Sequence, residues 1–271
     1  MSGVGGILMP LRRRVRPRRV AILRIYGPIS GGGSTAELVE LARRLRESKR
    51  VPAVVLDIDS PGGSATGSDD LFGGITRLAQ VKPVVAAIRG LGASGAYLAA
   101  LPARRILANP TAIVGSIGVI NAVPRLPRLL ERLGVSVTEH TAGSLKGMGA
   151  PWRDESGPEA AKEQAIVDAI YDSFVERVAR ARGLEPDRVR ELATGEVWLG
   201  QAAVELGLVD EIGDLERPIE VAADLAGVPA QAARARIHRP MLTRLVDRFA
   251  STAARSLGDE LELRLGDRYR T

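Results

Sequence analysis

Runs of β-branched and aliphatic residues alternate with amphipathic stretches along most of this chain, and that alternation constrains the fold most strongly. Val20–Tyr26 alternates and stops at Gly27-Pro28, a strand followed by a turn. Leu38, Leu41, Ala42 and Leu45 then recur at helical spacing, behind Ser34/Thr35 with Glu37 and Glu40 as a start signal, so a helix is expected to about residue 48. Residues 54–58 read as a buried strand that runs into the loop Asp59-Ser60-Pro61-Gly62-Gly63. A helix over about 68–80, a strand over 83–88 and a helix beginning near Ser94 follow. Strands are expected over 105–108, 113–120 and 135–139, with a helix over 126–133. Residues 141–157 read as a Gly/Ser/Pro-rich loop. Residues 158–182 read as a long amphipathic helix, with Ile166, Ala169, Ile170, Phe174, Val175 and Val178 on its apolar side and Gly183 as its stop. Residues 194–212 read as strand, helix, strand. Parallel neighbours need crossover connections, so the pattern predicts an α/β fold with a largely parallel sheet.

Charge divides the chain unevenly. The formal net charge is +6, from 38 Lys+Arg against 32 Asp+Glu. Arg12, Arg13, Arg14, Arg16, Arg18 and Arg19 all lie in the first 19 residues, which contain no acid, so the remainder balances at 32 against 32. The expected organisation is a basic flexible arm over 1–19, a main domain over 20–226 and a helical extension over 227–271. Leu242, Leu245, Val246, Phe249, Ala253 and Leu257 put an apolar stripe on that extension. The arm fits a solvated tail, nonspecific nucleic-acid contact, or an anionic membrane surface at about 1 kcal/mol per basic residue. No specific nucleic-acid binding is expected. Zero cysteines exclude disulfides, thiolate metal sites and a Cys nucleophile, and two histidines, His140 and His238, argue against a multi-His metal site. No cofactor is implied. The longest uncharged run, 106–124, is broken by Asn109-Pro110, Gly115, Gly118 and Asn121, and a span needs about 20 mostly apolar residues. Ile7-Leu8-Met9 precedes the arginines and is too short for a secretory signal. A cytoplasmic location, or a peripheral one at the membrane, is therefore expected.

Lysine is scarce. Only Lys49, Lys82, Lys146 and Lys162 are lysine among the 38 basic residues. Arginine stays protonated, whereas a desolvated lysine can act as a base. Lys146 lies in a stretch with no other charge between His140 and Arg153; an ordinary exposed loop lysine would look the same. Gly90-Leu-Gly92-Ala93-Ser94-Gly95-Ala96 places Ser94 where a strand turns into a helix. Small neighbours admit a substrate backbone, and a helix N-terminus favours a developing oxyanion. Ser94 could equally be a plain N-cap. Gly62-Gly63 could present backbone N–H groups inward or simply form a tight turn. Ser116, in Gly115-Ser116-Ile117-Gly118, is polar within an apolar stretch and needs a partner, which could be backbone. A Ser-His-Asp triad would have to use His140 or His238. The glycines at 31–33 are no phosphate loop, because no Gly-Lys-Ser/Thr follows.

Five blocks occur in one order: Asp59-Ser-Pro-Gly-Gly63, Gly92-Ala-Ser94-Gly-Ala-Tyr97, Gly115-Ser-Ile-Gly-Val119, Ser144-Leu-Lys146, and the stretch from Thr194 to Gly213. Together they resemble the signal peptide peptidase A family, short single-unit serine peptidases of the crotonase/Clp-protease-like fold. The resemblance covers about residues 20–226. It implies a core of repeated β-β-α units with C-terminal helices. It further implies Ser94 as nucleophile, Lys146 as general base and Ser116 as the hydroxyl that holds the lysine amine. The Gly63 and Gly95 N–H groups would form the oxyanion hole, with Gly62 shaping its loop. Substrates would be signal peptides or other unfolded peptides. The resemblance also implies a homo-oligomeric ring in which Lys146 can come from a neighbouring protomer. Many members carry an N-terminal membrane anchor where this chain has its Arg-rich arm. Competing readings are the related membrane-bound Ser/Lys protease that cuts stomatin-like proteins, a crotonase-type acyl-CoA enzyme, which would want an acid near the hole, and a non-catalytic scaffold.

Overall fold

A computed structural model describes residues 19–235. Arg12 to Arg18, His238 and the stripe from Leu242 to Leu257 lie outside the described residues; Arg19 is exposed. Three strands form the centre of a mostly parallel sheet: β1 (Val20–Tyr26), β2 (Val54–Ser60) and β3 (Val84–Ala93). The crossovers are α1 (Gly33–Glu47) and α2 (Ala65–Ala79), as the alternation predicts. Then come α3 (Gly95–Ala100), β4 (Arg105–Ala108), β5 (Ile113–Gly115), α4 (Pro127–Arg132), α5 (Gly157–Arg182) and α6 (Pro186–Leu192). The described part ends with β6 (Val197–Leu199), α7 (Gly200–Glu205), β7 (Glu211–Ile212), α8 (Glu216–Ala226) and β8 (Ala232–Arg234). Along the sheet the order is β6-β5-β3-β2-β1-β8, and only the β5–β6 pair is antiparallel. β3 forks: Val85 to Ile88 pair with β4, while Leu91 to Ala93 pair with β5.

Strand periodicity gives the sheet two different faces. Leu23, Ile25, Leu56, Ile58 and Ile88 are fully buried on the side packed by α1, α2 and α3, each such side chain contributing about 1.5–3 kcal/mol of burial. On the other face, Val20, Val55, Val85, Ala87 and Leu107 pack against Ala222 and Ala223 of α8. Further along the same face lie Arg24, Tyr26, Asp57 and Arg89. The Asp57 carboxylate is wholly buried. It accepts from the Tyr26 hydroxyl at 2.8 Å and lies 2.9 Å from Arg89 Nε and 3.4 Å from Arg24 Nε. Asp57→Asn should therefore lose about 1–3 kcal/mol of unfolding free energy in denaturant titration, below the cost of breaking a fully buried pair because both arginines reach water. A loss under about 0.5 kcal/mol would show that the pairing is incidental.

Several boundaries differ from the sequence expectations. The strand expected over 113–120 stops at Gly115, because Gly115 (φ 110°) and Ser116 (φ 49°) leave extended geometry. Residues 135–139 form no strand; Val135 and Val137 are exposed there. On α5 only the C-terminal half enters the core, through Phe174, Val175 and Val178, while Ile166 and Ile170 are exposed. β8 falls inside the stretch read as a helical extension and pairs with β1. No described helix is long and apolar enough to cross a membrane.

Candidate active site

The carboxyl ends of β2, β3 and β5 converge, and five of the six residues singled out from the sequence meet there. The pairing of β2 with β3 shifts register between Ile58 and Ser60, which frees the chain to turn through Pro61, Gly62 and Gly63. Ser60 is buried, and its Oγ accepts from the Gly62 N–H at 3.2 Å. The chain just after β1 fastens the turn from outside: the Ile29 N–H donates to the Gly62 carbonyl at 2.7 Å, and the Ser64 N–H to the Ile29 carbonyl at 2.8 Å. A Cβ on Gly63 would stand 1.9 Å from the Ile29 oxygen, and one on Gly62 would stand 2.6 Å from the Gly95 nitrogen at φ 84°. Neither position admits a side chain, so the turn needs glycine at both.

Ser94 directly follows β3 at φ 53° and ψ −123°, a conformation costly for any residue with a side chain. Its N–H donates to the Gly115 carbonyl at 2.8 Å, which pins the turn to β5. Its side chain makes no capping hydrogen bond to α3, so the plain N-cap reading does not hold. The Gly63 and Gly95 N–H groups find no acceptor among the described residues. Gly95 packs so closely that a Cβ there would lie 1.9 Å from Ser68 Oγ and 3.6 Å from the Gly63 nitrogen. Ala93 pairs with Gly115, so Ser94 and Ser116 each follow a paired position. The Ser116 N–H donates to the Glu196 carbonyl at 2.6 Å, and its hydroxyl makes no hydrogen bond to a described residue.

Lys146 makes no hydrogen bond to this cluster. It is exposed, and its ammonium makes no hydrogen bond or ion pair among the described residues, with Ser94 and Ser116 included. The uncharged sequence around it therefore does not bury it within one chain. Nor are its surroundings uncharged in space. Arg153 donates to the Gly147 carbonyl at 2.9 Å and grips Glu159 with bonds of 2.6 and 2.9 Å, and its Nε lies 3.5 Å from Glu139. The Arg153 guanidinium, with the Ser156 N–H and hydroxyl, holds the Glu159 carboxyl far below the usual carboxylate range. Its contribution to stability is therefore complete above that range and is lost as pH falls through the lowered value.

Sequence reasoning missed Ile29, Ser60, Ser68, Arg153 and Glu159. Only Glu159 carried a signal, as the last member of the capping box Ser156-Gly-Pro-Glu159. A groove of about 390 Å³ between α1 and α2, lined by residues such as Val39, Arg43 and Arg77, contains none of the candidate residues. Among the described residues no cluster of His, Asp or Glu could hold a metal ion.

Comparison with known proteins finds relatives among peptidases. The model of peptidase family S49 matches residues 76–229, more than half the chain, starting beyond the Gly62-Gly63 turn. A chloroplast serine protease, SPPA, of Arabidopsis thaliana is 36% identical over 213 residues, covering 77% of this chain and 32% of its own. A Synechocystis protein provisionally named a protease is 36% identical over 222 residues, covering 82% of this chain and 79% of its own. Protease 4 of Haemophilus influenzae is 31% identical over 216 residues, covering 77% and 35%. The chain thus spans about a third of the chloroplast and Haemophilus proteins and most of the cyanobacterial one.

Proposed function

The chain belongs to peptidase family S49, and from that premise we propose that it is a serine endopeptidase with a Ser94/Lys146 dyad. Its substrates are signal peptides or other unfolded peptides, cut at or near a membrane surface. One observation carries the reading: Ser94 is held at a strained turn beside two backbone N–H groups, of Gly63 and Gly95, that have no acceptor among the described residues. That is the arrangement an acyl transfer needs.

Lys146, neutral, takes the proton from Ser94 as Oγ attacks the scissile carbonyl. The tetrahedral oxyanion rests on the Gly63 and Gly95 N–H groups, a contribution of about 3–4 kcal/mol per donor in measured oxyanion holes. Lys146 then protonates the leaving amine, and water, deprotonated by the same lysine, cleaves the acyl-enzyme. Ser116 orients the amine. A lysine works as a base near neutral pH only when desolvation lowers its pKa from about 10.4 to about 7–8, and Lys146 is exposed in one chain. This favours burial on assembly, with Lys146 supplied to a neighbouring protomer of a homo-oligomeric ring. The arginines from Arg12 to Arg19 would hold such an assembly to anionic lipid.

A serine-directed fluorophosphonate should label the protein once per chain, and mass mapping should place the adduct on Ser94. Labelling at another serine, or none in an active preparation, would refute the assignment. The mapped adduct also separates this reading from an acyl-CoA enzyme, which needs no such serine.

A further inference from the structure

The base-bearing loop has no strand or helix of its own. Residues 144–149 are a succession of turns, with Lys146 N–H donating to the Gly143 carbonyl, Met148 N–H to Leu145 and Ala150 N–H to Gly147, each at 3.1 Å. Turns of this kind leave a loop free to shift as a body. Here the shift is blocked from one side. The Gly147 carbonyl, one residue beyond Lys146, accepts a second bond from Arg153 at 2.9 Å. Arg153 is in turn locked bidentately onto Glu159, whose side chain is only 4% exposed. Glu159 also accepts from the Ser156 N–H at 3.0 Å and the Ser156 hydroxyl at 2.8 Å, which fixes it at the first turn of α5. The far half of α5 is anchored in the core through Phe174, Val175 and Val178.

The geometry points to Arg153 and Glu159 as positioning residues for the general base: the pair fixes the Gly147 carbonyl to a 26-residue helix and thereby sets where Lys146 is presented. The inference rests on the Ser94/Lys146 reading. Bidentate guanidinium–carboxylate pairing adds geometric definition as well as attraction. A plain helix cap would need Glu159 and Ser156 but no arginine, and it would leave the Gly147 carbonyl with its turn bond alone. The packing is tight at the same spot. A Cβ on Gly147 would stand 2.2 Å from a Glu139 carboxylate oxygen and 2.6 Å from an Arg153 nitrogen. The arrangement belongs to the lysine's own chain, whichever protomer's serine the lysine serves.

The test is steady-state peptide cleavage by the full chain carrying Arg153→Ala. Misplacing a catalytic group by about 1 Å costs on the order of 100-fold, so kcat should fall about 10- to 100-fold while KM changes less than about threefold. Guanidinium ion at low millimolar concentration should restore at least about threefold of that loss, because it can refill the vacated position. A variant within twofold of wild-type kcat overturns the inference, and so does a loss in kcat that guanidinium leaves unchanged. Should Arg153→Ala fail to fold, Gly147→Ala reads the same contact from the other partner: a fall in kcat at constant KM supports the inference, and an unchanged kcat overturns it. Lys146→Ala in the same assay separates the two layers. If it keeps full activity, the dyad itself is refuted. If it is inactive and Arg153→Ala is not impaired, only the positioning role is.

Discussion

Ser94→Ala and Lys146→Ala should each abolish peptide cleavage, lowering kcat by about 10⁴-fold or more, and the double variant should be no worse than either single one. Nucleophile and base act as a unit, so removing one leaves the other with nothing to do. The fold should survive both changes. Ser94 makes no side-chain hydrogen bond to α3, and Lys146 is exposed without a partner among the described residues. Unfolding midpoints within about 4 °C of wild type are expected, since Lys146 is exposed and Ser94→Ala removes one half-buried hydroxyl, a loss of about 1 kcal/mol at most. Full activity in Lys146→Ala would end the dyad assignment. The exposure of Lys146 adds a sharper form of the experiment. Mixing Ser94→Ala chains with Lys146→Ala chains, each inactive alone, should restore activity if the lysine serves a neighbour's serine. A mixture that stays inactive after exchange of subunits would place the dyad within one chain.

The second large effect is expected at Gly63. Gly63→Ala should reduce kcat by about 10²–10³-fold, the cost of losing one oxyanion donor. The added methyl cannot be accommodated where it is, because the Ile29 oxygen lies 1.9 Å away and belongs to backbone that itself bonds Gly62 and Ser64. The turn must rotate, and its N–H turns with it. KM should change far less than kcat, because the donor matters most to the charged intermediate. The measurement is the kcat and KM pair for one peptide, with a melting curve to show that the variant is folded. A folded Gly63→Ala protein with wild-type kcat would remove Gly63 from the oxyanion hole.

Much of this was legible in the residues. The crossover pattern of β1, α1, β2, α2 and β3 is local, so periodicity alone locates it. The glycines at 62, 63 and 95 are singled out through the family resemblance, since glycines in a tight turn would read the same in the residues alone. What escaped depends on contacts between distant parts of the chain. The Ile29 backbone has no side-chain signature, yet it fastens the Gly62-Gly63 turn. Arg153 looked like one arginine among many, since nothing in the sequence says that it faces Gly147 and Glu159. Residues 135–139 had the composition of a strand and lacked a partner, and a strand is stable only when paired. The uncharged neighbourhood of Lys146 along the chain fits a buried and an exposed lysine alike, because desolvation is decided by neighbours in space.

The pairing of β8 with β1 has a consequence for how this protein is made. Val20, Ala21 and Ile22 are synthesised about 210 residues before their partners Ala232, Ala233 and Arg234. At about 5–20 residues per second, roughly 10–40 s separate the two during translation. For that interval the outer edge of β1 offers unpaired amides and carbonyls to any other nascent chain on the same message. A cut at residue 229, where the match to the family model ends, would make the interval permanent and leave β1 as an open, apolar border of the sheet.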